Sequence, residues 1–515
     1  MKWLFSLKNQ AQAPTVNQAK LLFCGIGTLL LSNCAVGPNY KRPAAPLPQT
    51  YTASSLGSKT VASNTKLGAA QSFVSQQDLP AQWWQLFHSQ PLNELISASL
   101  RYNPNVGAAQ EALRAALETA YAEKGALFPL IGASFQPTTQ KTADILTSVL
   151  ASNQYQYSLF TGQLLVSYTP DVFGGTRRQL ESLLAQAESQ RFQLEATYLT
   201  LTTNVVNAAI QEAALREQIS ATQQIIASQK KLLVIAQQQL KLGDTALIDV
   251  ATQQAALAAS EASLPPLSKQ LALQRDLLNA LTGRFPDDQR TPSFRLSSLQ
   301  LPTKLPISVP AALIEHRPDI RAAEAQMQAA NALIGVALAN RLPNFTIDST
   351  NWGSAATTLG MLLQPDTRFW ALAGIISQPL FDGGALRHKQ RAAEASYKQA
   401  AALYRATVIN AFQNVADSLK AIQADALTLH AASTAESAAR TSLNIARRQL
   451  ALGDSSVAAL LLNQQAYQQA RLNLIQAQAN RLSDTVALFQ ALGGGWQQQQ
   501  KVPSPSARKK CPKGG

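Results

Sequence analysis

The chain has few cysteines, few aromatic residues and few charges for its 515 residues. Its three cysteines, Cys24, Cys34 and Cys511, include no CxxC pair and none placed to staple a domain, so they predict no disulfide framework. Aromatic residues make up 6% of the chain, and charged residues make up 14%, against a typical quarter. Alanine, leucine and glutamine dominate instead. This composition is typical of long helices packed side by side rather than of a sandwich or a large aromatic core.

The sequence also lacks the motifs of common enzymes. No HExxH, Walker, GxSxG or GxGxxG pattern occurs. Its four histidines, His88, His316, His388 and His430, lie far apart, and none has a neighbour at ligand spacing. We therefore expect no catalysis, no metal and no cofactor.

The net charge of +14 is concentrated at the two ends of the chain. Removing three lysines near the N-terminus and five basic residues of the C-terminal tail leaves +6 for the body. Basic residues in the body are scattered, without aromatic residues between them, so we expect no nucleic-acid partner. Residues 497–515 have the composition of a disordered tail, and Cys511 within it is assigned no role.

No run of eighteen apolar residues occurs, so no transmembrane helix is expected in the mature chain. The N-terminus instead has the pattern of a signal peptide, with only positive charge over 1–20 and an apolar run over 21–31. The sequence Leu31-Ser32-Asn33-Cys34 resembles a bacterial lipobox, although Asn33 is unusual before the cysteine. We predict a lipoprotein signal peptide over 1–33 and lipidation of Cys34. The alternative is ordinary cleavage nearby with an inert thiol.

The body of the chain is a tandem duplication with a period of about 210 residues. Three landmarks recur: Leu240-Lys-Leu-Gly243-Asp244 as Leu450-Ala-Leu-Gly453-Asp454, Pro170 with Gly174-Gly175 as Pro379 with Gly383-Gly384, and Asn103-Pro104 with Phe128-Pro129 as Arg317-Pro318 with Leu342-Pro343. The predicted divisions are an extended equatorial segment (34–91), repeat 1 (92–282), a Pro-rich linker (283–316), repeat 2 (317–496) and the tail.

Each repeat is predicted to run helix, strand, strand, long helix, turn, helix. The predicted helices are 104–127, 176–242, 246–282, 318–340, 385–452 and 456–492. The predicted strands are near 130–136, 155–168, 344–352 and 368–379. The 67 residues from Thr176 to Leu242 contain neither proline nor glycine and keep a coiled-coil period. At 1.5 Å per residue they form a helix of about 100 Å, which the two flanking helices together match.

Four strands of this length suit a transmembrane β-barrel but are too few to close one. An open edge in lipid leaves backbone groups without hydrogen bonds, so partner chains must complete the ring. Three copies supply twelve strands. The predicted fold class is an α+β membrane protein, with a trimeric 12-stranded β-barrel continuous with a long α-helical coiled-coil barrel.

The sequence resembles the TolC-type outer membrane factor family, in particular its lipoprotein branch. The matching motifs extend over the mature chain: CAVGPNYKRP after the lipobox, WWQLF at Trp83–Phe87, RPDIRAAEAQMQAANALIGVALANRLPNFTI over 317–347, PLFDGGALR over 379–387, and ALGGGW at Ala491–Trp496. The resemblance implies a homotrimer in the Gram-negative outer membrane that extends into the periplasm. It also implies contact with outer-membrane lipid, a periplasmic adaptor (membrane fusion) protein and an inner-membrane transporter.

Particular residues have predicted roles in this fold. Pro129 and Pro343 should end the entering helices, and Gly174, Gly175, Gly383 and Gly384 should lie where strand turns into helix. Gly243 and Gly453 are predicted C-caps, and Asp244 and Asp454 are predicted N-caps of the following helices. The resemblance places these turns at the periplasmic tip. It matches Asp249 to an acidic family position and shows Leu462 where a second Asp is frequent, so any acidic ring is weaker here.

The predicted function is the outer-membrane exit channel of a tripartite efflux pump, which passively conducts drugs, toxic compounds or metal ions. The alternative is the outer-membrane duct of a type I protein secretion system. A purely structural periplasmic spacer is a more remote alternative, and the β segments argue against it. The sequence does not identify the cargo.

Overall fold

The computed structural model describes residues 35–44, 50–52, 57–75, 77–141 and 156–496, with only the backbone of 348–351. Cys34, the predicted signal peptide and the C-terminal tail lie outside the described residues. The helices are α1 Gln90–Tyr102, α2 Pro104–Gly125, α3 Gly175–Leu242, α4 Leu247–Ala262, α5 Leu264–Leu281, α6 Pro310–His316, α7 Pro318–Ala339, α8 Ala385–Leu452 and α9 Val457–Ala491. The strands are β1 Ser72–Ser75, β2 Leu130–Lys141, β3 Gln156–Ser167, β4 Lys304–Ile307, β5 Asn344–Ala356 and β6 Arg368–Ser377.

The long helices of the two repeats have the same length. Both α3 and α8 contain 68 residues, and each is followed by a turn and a returning helix. Neither has a proline or glycine after its first residue, so nothing in the backbone interrupts the hydrogen-bond ladder. Each is about 100 Å long at the standard helical rise.

The prediction of a single helix over 246–282 was wrong. The chain forms α4 and α5, which meet at Ser263. Pro265 and Pro266 cannot donate the backbone hydrogen bonds that a continuous helix needs. They are tolerated in the first turn of α5, where backbone N–H groups have no partner within the helix.

Sequence patterns also missed four elements: β1, β4, α1 and α6. The predicted linker contains β4, which pairs in parallel with β1, and it ends in α6. The other missed helix, α1, precedes Asn103-Pro104 just as α6 precedes Arg317-Pro318. Strands of four residues are too short to establish a period of two, so the sequence gives little signal for them.

The main sheet has four antiparallel strands in the order β2-β3-β5-β6. Pairing of β3 with β5 joins the first repeat to the second, with Leu164 opposite Trp352. An irregularity between Asp348 and Asn351 shifts the register of β5 against β6. Within the described residues, β2 and β6 each lack a neighbour on their outer side.

The chain divides into two compact units that differ from the two sequence repeats. The sheet unit contains the four-stranded sheet and consists of Met1–Lys41, Ala116–Ala187 and Gln326–Ala400. The turn unit contains the turns at Gly243 and Gly453 that follow the two long helices. It consists of Arg42–Ala115, Glu188–Ala325 and Ala401–Gly515. Each unit therefore takes segments from both repeats.

Aromatic residues far apart in the sequence pack together in the core of the turn unit. Trp83 and Phe87, from the WWQLF motif, pack against Phe489 of α9 with ring centroids 5.6 and 6.4 Å away. Trp496 packs edge-on against Phe192 of α3, and its indole N–H donates to the carbonyl of His316 at 2.7 Å. The WWQLF and ALGGGW motifs thus supply parts of one core. Across the described residues, no helix combines the length and apolar character needed to cross a membrane.

Candidate functional site

The turns at Gly243 and Gly453 have the same backbone geometry. Gly243 has φ +83° and Gly453 has φ +80°, a region that glycine adopts without the penalty other residues carry. The amide of Asp244 donates to the carbonyl of Gln239 at 2.9 Å, and that of Gly243 to Leu240 at 3.1 Å. This pair of bonds is a Schellman motif, and it occurs again at the second turn. Both glycines therefore end their long helices.

The prediction that Asp244 and Asp454 are N-caps was wrong. The next helices have Ala246 and Ser456 at their N-caps, and the hydroxyl of Ser456 accepts from the amide of Ala459 at 3.2 Å. Each aspartate uses its backbone N–H to close the preceding helix. Two further residues are then needed to reverse the chain, which places the cap beyond the aspartate.

The two helical hairpins pack against each other within the turn unit. Leu443 and Ala446 of α8 and Leu460 of α9 form a buried cluster, against which Leu232 of α3 packs. Arg447 of α8 also donates to the hydroxyl of Ser228 of α3 at 3.1 Å. A change in the position of one hairpin therefore has to be accommodated by the other.

Apolar side chains are exposed around both turns. The exposed residues are Leu242, Leu247 and Ile248 at the first turn and Leu452 and Leu462 at the second. The predictions singled out Leu462 only as a missing acidic residue and assigned the other four side chains no role, although Leu242 and Leu452 adjoin the predicted glycines. They give each turn a surface on which a protein partner could bury apolar area.

Acidic residues are distributed unequally between the turns. Asp249 lies in the first turn of α4, and its carboxylate accepts from the hydroxyl of Thr245 at 3.1 Å. Leu462 is 68% exposed, so an apolar side chain faces solvent where the family resemblance predicts a frequent aspartate.

The junctions between strand and helix lie in the sheet unit. Gly174, Gly383 and Gly384 have φ of +76°, +63° and +86°, and Gly175 is the first residue of α3. Two prolines, Pro129 and Pro343, stand immediately before β2 and β5, after the preceding helices have ended.

An aspartate caps the helix at each junction, which the sequence analysis did not predict. The carboxylate of Asp171 accepts from the amides of Thr176 and Arg177 at 3.0 and 2.9 Å. The carboxylate of Asp382 accepts from those of Gly384 and Leu386 at 2.8 and 2.7 Å. These bonds hold the pKa of Asp382 below its usual range. The signal for these caps was an aspartate between the proline and the glycine pair in both repeats.

The sheet exposes apolar side chains along its two outer strands. Trp370, Leu372 and Ile376 are exposed on β6, and Ile131 and Phe135 are exposed on β2. Residues of this kind suit contact with lipid or with another chain. Among the described residues, no group of three histidine, cysteine or acidic side chains is placed to hold a metal ion.

The comparison with known proteins decides the family. A model of the family "Outer membrane efflux protein" matches residues 95–284 and 309–494, one match over most of each predicted repeat. The chain belongs to this family. The prediction of a TolC-type outer membrane factor is thereby confirmed.

Curated relatives match nearly the whole chain. It is 29% identical over 427 residues to the pyoverdine export outer membrane protein OpmQ of Pseudomonas putida, covering 82% of this chain and 90% of OpmQ. It is 26% identical over 499 residues to the probable efflux pump outer membrane protein TtgC of the same species, covering 96% and 99% of the two chains.

Solved structures confirm the fold class. The outer-membrane channel OprN aligns with a TM-score of 0.79 and 27% identity, covering 90% of this chain and all of OprN. The CmeC outer membrane channel of Campylobacter jejuni aligns with a TM-score of 0.81 over 91% of this chain, and at 20% identity it shows the fold alone. The chain is an outer-membrane efflux channel protein with an α+β fold built from a tandem repeat.

Proposed function

We propose that three copies of this chain form a 12-stranded barrel in the outer membrane and a helical barrel in the periplasm. The main support is the four-stranded sheet, since β2 and β6 each have an open outer edge in the described structure. Such edges are costly in lipid unless another strand pairs with them. Pairing of β6 with β2 of the next copy satisfies both edges, and three copies close the ring.

This assembly acts as the passive exit channel of a tripartite efflux pump. An inner-membrane transporter supplies the energy, and a periplasmic adaptor binds the helical turns and favours the open state. The exposed leucines and isoleucine at the two turns provide the apolar area for that contact. The packing of the hairpins against each other couples their movement. No catalysis is part of this function.

The cargo class is small molecules: drugs, other toxic compounds or metal ions. The names of the relatives favour this class over secreted proteins, since TtgC is a probable efflux pump component and OpmQ is named for pyoverdine export. A type I secretion duct remains the second candidate, with a different transporter at the same turns. We also propose that Cys34 carries the lipid anchor.

The decisive experiment is cross-linking in intact cells from Ala246→Cys, carrying a photoreactive maleimide, in a Cys511→Ser background. Leu363→Cys, exposed in the loop between β5 and β6, serves as the control. Capture of an adaptor that pairs with a small-molecule exporter at Ala246, and not at Leu363, supports the proposal. Capture of an adaptor for a protein-exporting ATPase moves the function to type I secretion. If no periplasmic protein is captured, the assignment of the turns as the docking tip is incorrect.

A further inference from the structure

Residues 35–39, which we call the leader segment, follow the predicted lipidation site directly. Within the sheet unit they lie along a groove between the start of α3 and the C-terminal half of α7. This groove is formed by Phe173, Gly174 and Arg178 on one side and Asn331 and Gly335 on the other.

Successive residues of the leader segment are hydrogen-bonded to the groove. The amide of Val36 donates to the carbonyl of Phe173 at 3.0 Å. The guanidinium of Arg178 donates to the carbonyls of Val36 and Gly37 at 3.2 and 3.3 Å, and to the side chain of Asn39 at 2.7 Å. The side-chain amide (Nδ2) of Asn331 donates to the carbonyl of Pro38 at 2.9 Å. Four consecutive residues, 36–39, are therefore held by the groove.

The groove fits the leader segment closely. A Cβ at Gly335 would lie 2.8 Å from the carbonyl oxygen of Val36, and a Cβ at Gly174 would lie 2.6 Å from the Cα of Ala35. Either atom would displace the segment. Arg178 is only 5% exposed, and Glu181 balances its charge at 2.7 Å. A buried guanidinium with this many fixed acceptors is a specific contact rather than a solvated surface charge.

The second repeat provides an internal comparison. Arg387 stands three residues after Gly384, as Arg178 stands three residues after Gly175. Arg387 is exposed, and a Cβ at Gly383 would meet no atom within 4 Å. Phe381, next to this junction, is 93% exposed. Among the described residues, the leader segment therefore covers the first junction, and no equivalent segment covers the second.

We propose that the groove is a docking site for the leader segment, and that it fixes the lipid-bearing end of the chain at the first junction between strand and helix. Arg178 is the positioning residue. The role in anchoring rests on the proposed lipidation of Cys34, whereas docking of residues 35–39 does not. One peptide bond joins Cys34 to Ala35, so docking of the leader segment limits how far the lipid-bearing residue can lie from the groove.

The test measures the reactivity of a cysteine at position 36 in the full chain, with Cys511→Ser. Val36→Cys keeps both backbone hydrogen bonds, and its side chain is half-buried. The variants are Arg178→Gln and, as the matched control, Arg387→Gln. Leu342→Cys, elsewhere in the sheet unit, reports whether the unit loosens as a whole. We expect Arg178→Gln to raise the rate of maleimide labelling at position 36 about tenfold and at 342 less than twofold, and Arg387→Gln to change neither.

Equal increases at 36 and 342 would show that Arg178 only supports the fold, and no increase at 36 would show that it does not hold the segment. Either result overturns the docking proposal. The lipid is tested separately, by mass spectrometry of the N-terminal peptide and by exporting the mature chain with Cys34→Ser behind a conventional signal peptide. Absence of the acyl group removes the anchoring role. Slow labelling at position 36 in the Cys34→Ser chain would confirm docking without it.

Discussion

Asp484 of α9 offers the sharpest test of the energetics of the turn unit. It is half-buried and hydrogen-bonded to Asp425 of α8, and its Oδ2 atom has no partner within the described residues. The nearby Arg481 is fully buried but directs its guanidinium to the carbonyls of Leu67 and Ala69 at 3.1 and 2.8 Å. Burial, the hydrogen bond with Asp425 and the charge of Asp425 together raise the pKa of Asp484 from 3.8 to about 7.

The raised pKa makes folding stability depend on pH in a defined direction. The folded chain keeps a proton on Asp484 that the unfolded chain releases above about pH 4. The contribution to the free energy of unfolding therefore falls as pH rises from about 4 to 7, and it is constant above that. The difference in pKa corresponds to about 4 kcal/mol, and partial exposure of the carboxyl reduces this to about 2 kcal/mol.

Asp484→Asn removes this dependence because an amide cannot ionise. We expect the variant to be more stable than the unmodified chain by about 2 kcal/mol at pH 8 and nearly equal to it at pH 4. The measurement is the thermal midpoint of the detergent-solubilised protein at both pH values. The control is Asp417→Asn, an exposed aspartate of the same helix as Asp425. A variant that is less stable by the same amount at both pH values would refute the reasoning.

Three further substitutions test individual contacts. Gly243→Val forces a branched side chain into φ +83° and should cost about 1–2 kcal/mol of turn stability, seen as faster tryptic cleavage after Lys241, whereas Gly243→Asn should cost less; equal rates for both would contradict this. The buried carboxylate of Glu212 accepts from the guanidinium of Arg216 at 2.6 Å and from the backbone amide of Phe294 at 2.8 Å. Glu212→Gln weakens both bonds and should lower the stability measured by thermal unfolding by about 2 kcal/mol. An unchanged midpoint would show that these bonds do not contribute to stability. The side chain of Gln464 is 3% exposed, and neither of its polar atoms has a hydrogen-bond partner in the described residues. Gln464→Met should therefore raise stability by about 1 kcal/mol. A lower thermal midpoint would show that the amide has a partner.

The sequence was sufficient to predict the two long helices, the turns that follow them and the four strands of the main sheet, because their signals are long or sharp. The 68-residue helices are predicted by the period of their apolar residues and by the absence of proline and glycine after their first residue. The turns at Gly243 and Gly453 follow from one residue type that adopts positive φ readily. Both kinds of signal lie within a short stretch of chain, so no knowledge of distant contacts is needed.

The features that the sequence did not predict depend on contacts between distant residues or on exact backbone geometry. Arg178 meets residues about 140 positions earlier, and the partner of Asp484 lies on another helix. The position of the caps depends on how many residues the chain needs to reverse, which placed them at Ala246 and Ser456. Such features become visible only when the elements are placed in space.

The pairing of β3 with β5 has a consequence for symmetry. A single repeat would contribute two strands, so a ring of twelve would need six identical subunits and would have sixfold symmetry. Pairing of β3 with β5 joins two repeats in one chain, so half of the contacts between neighbouring repeats in the ring lie within a chain. The ring then needs three subunits instead of six. The two halves of each chain are then free to diverge. The exposed Leu462 and the exposed Phe381 are examples. Each belongs to the second repeat alone, so a ring of three chains, which contains six repeats, carries each residue three times.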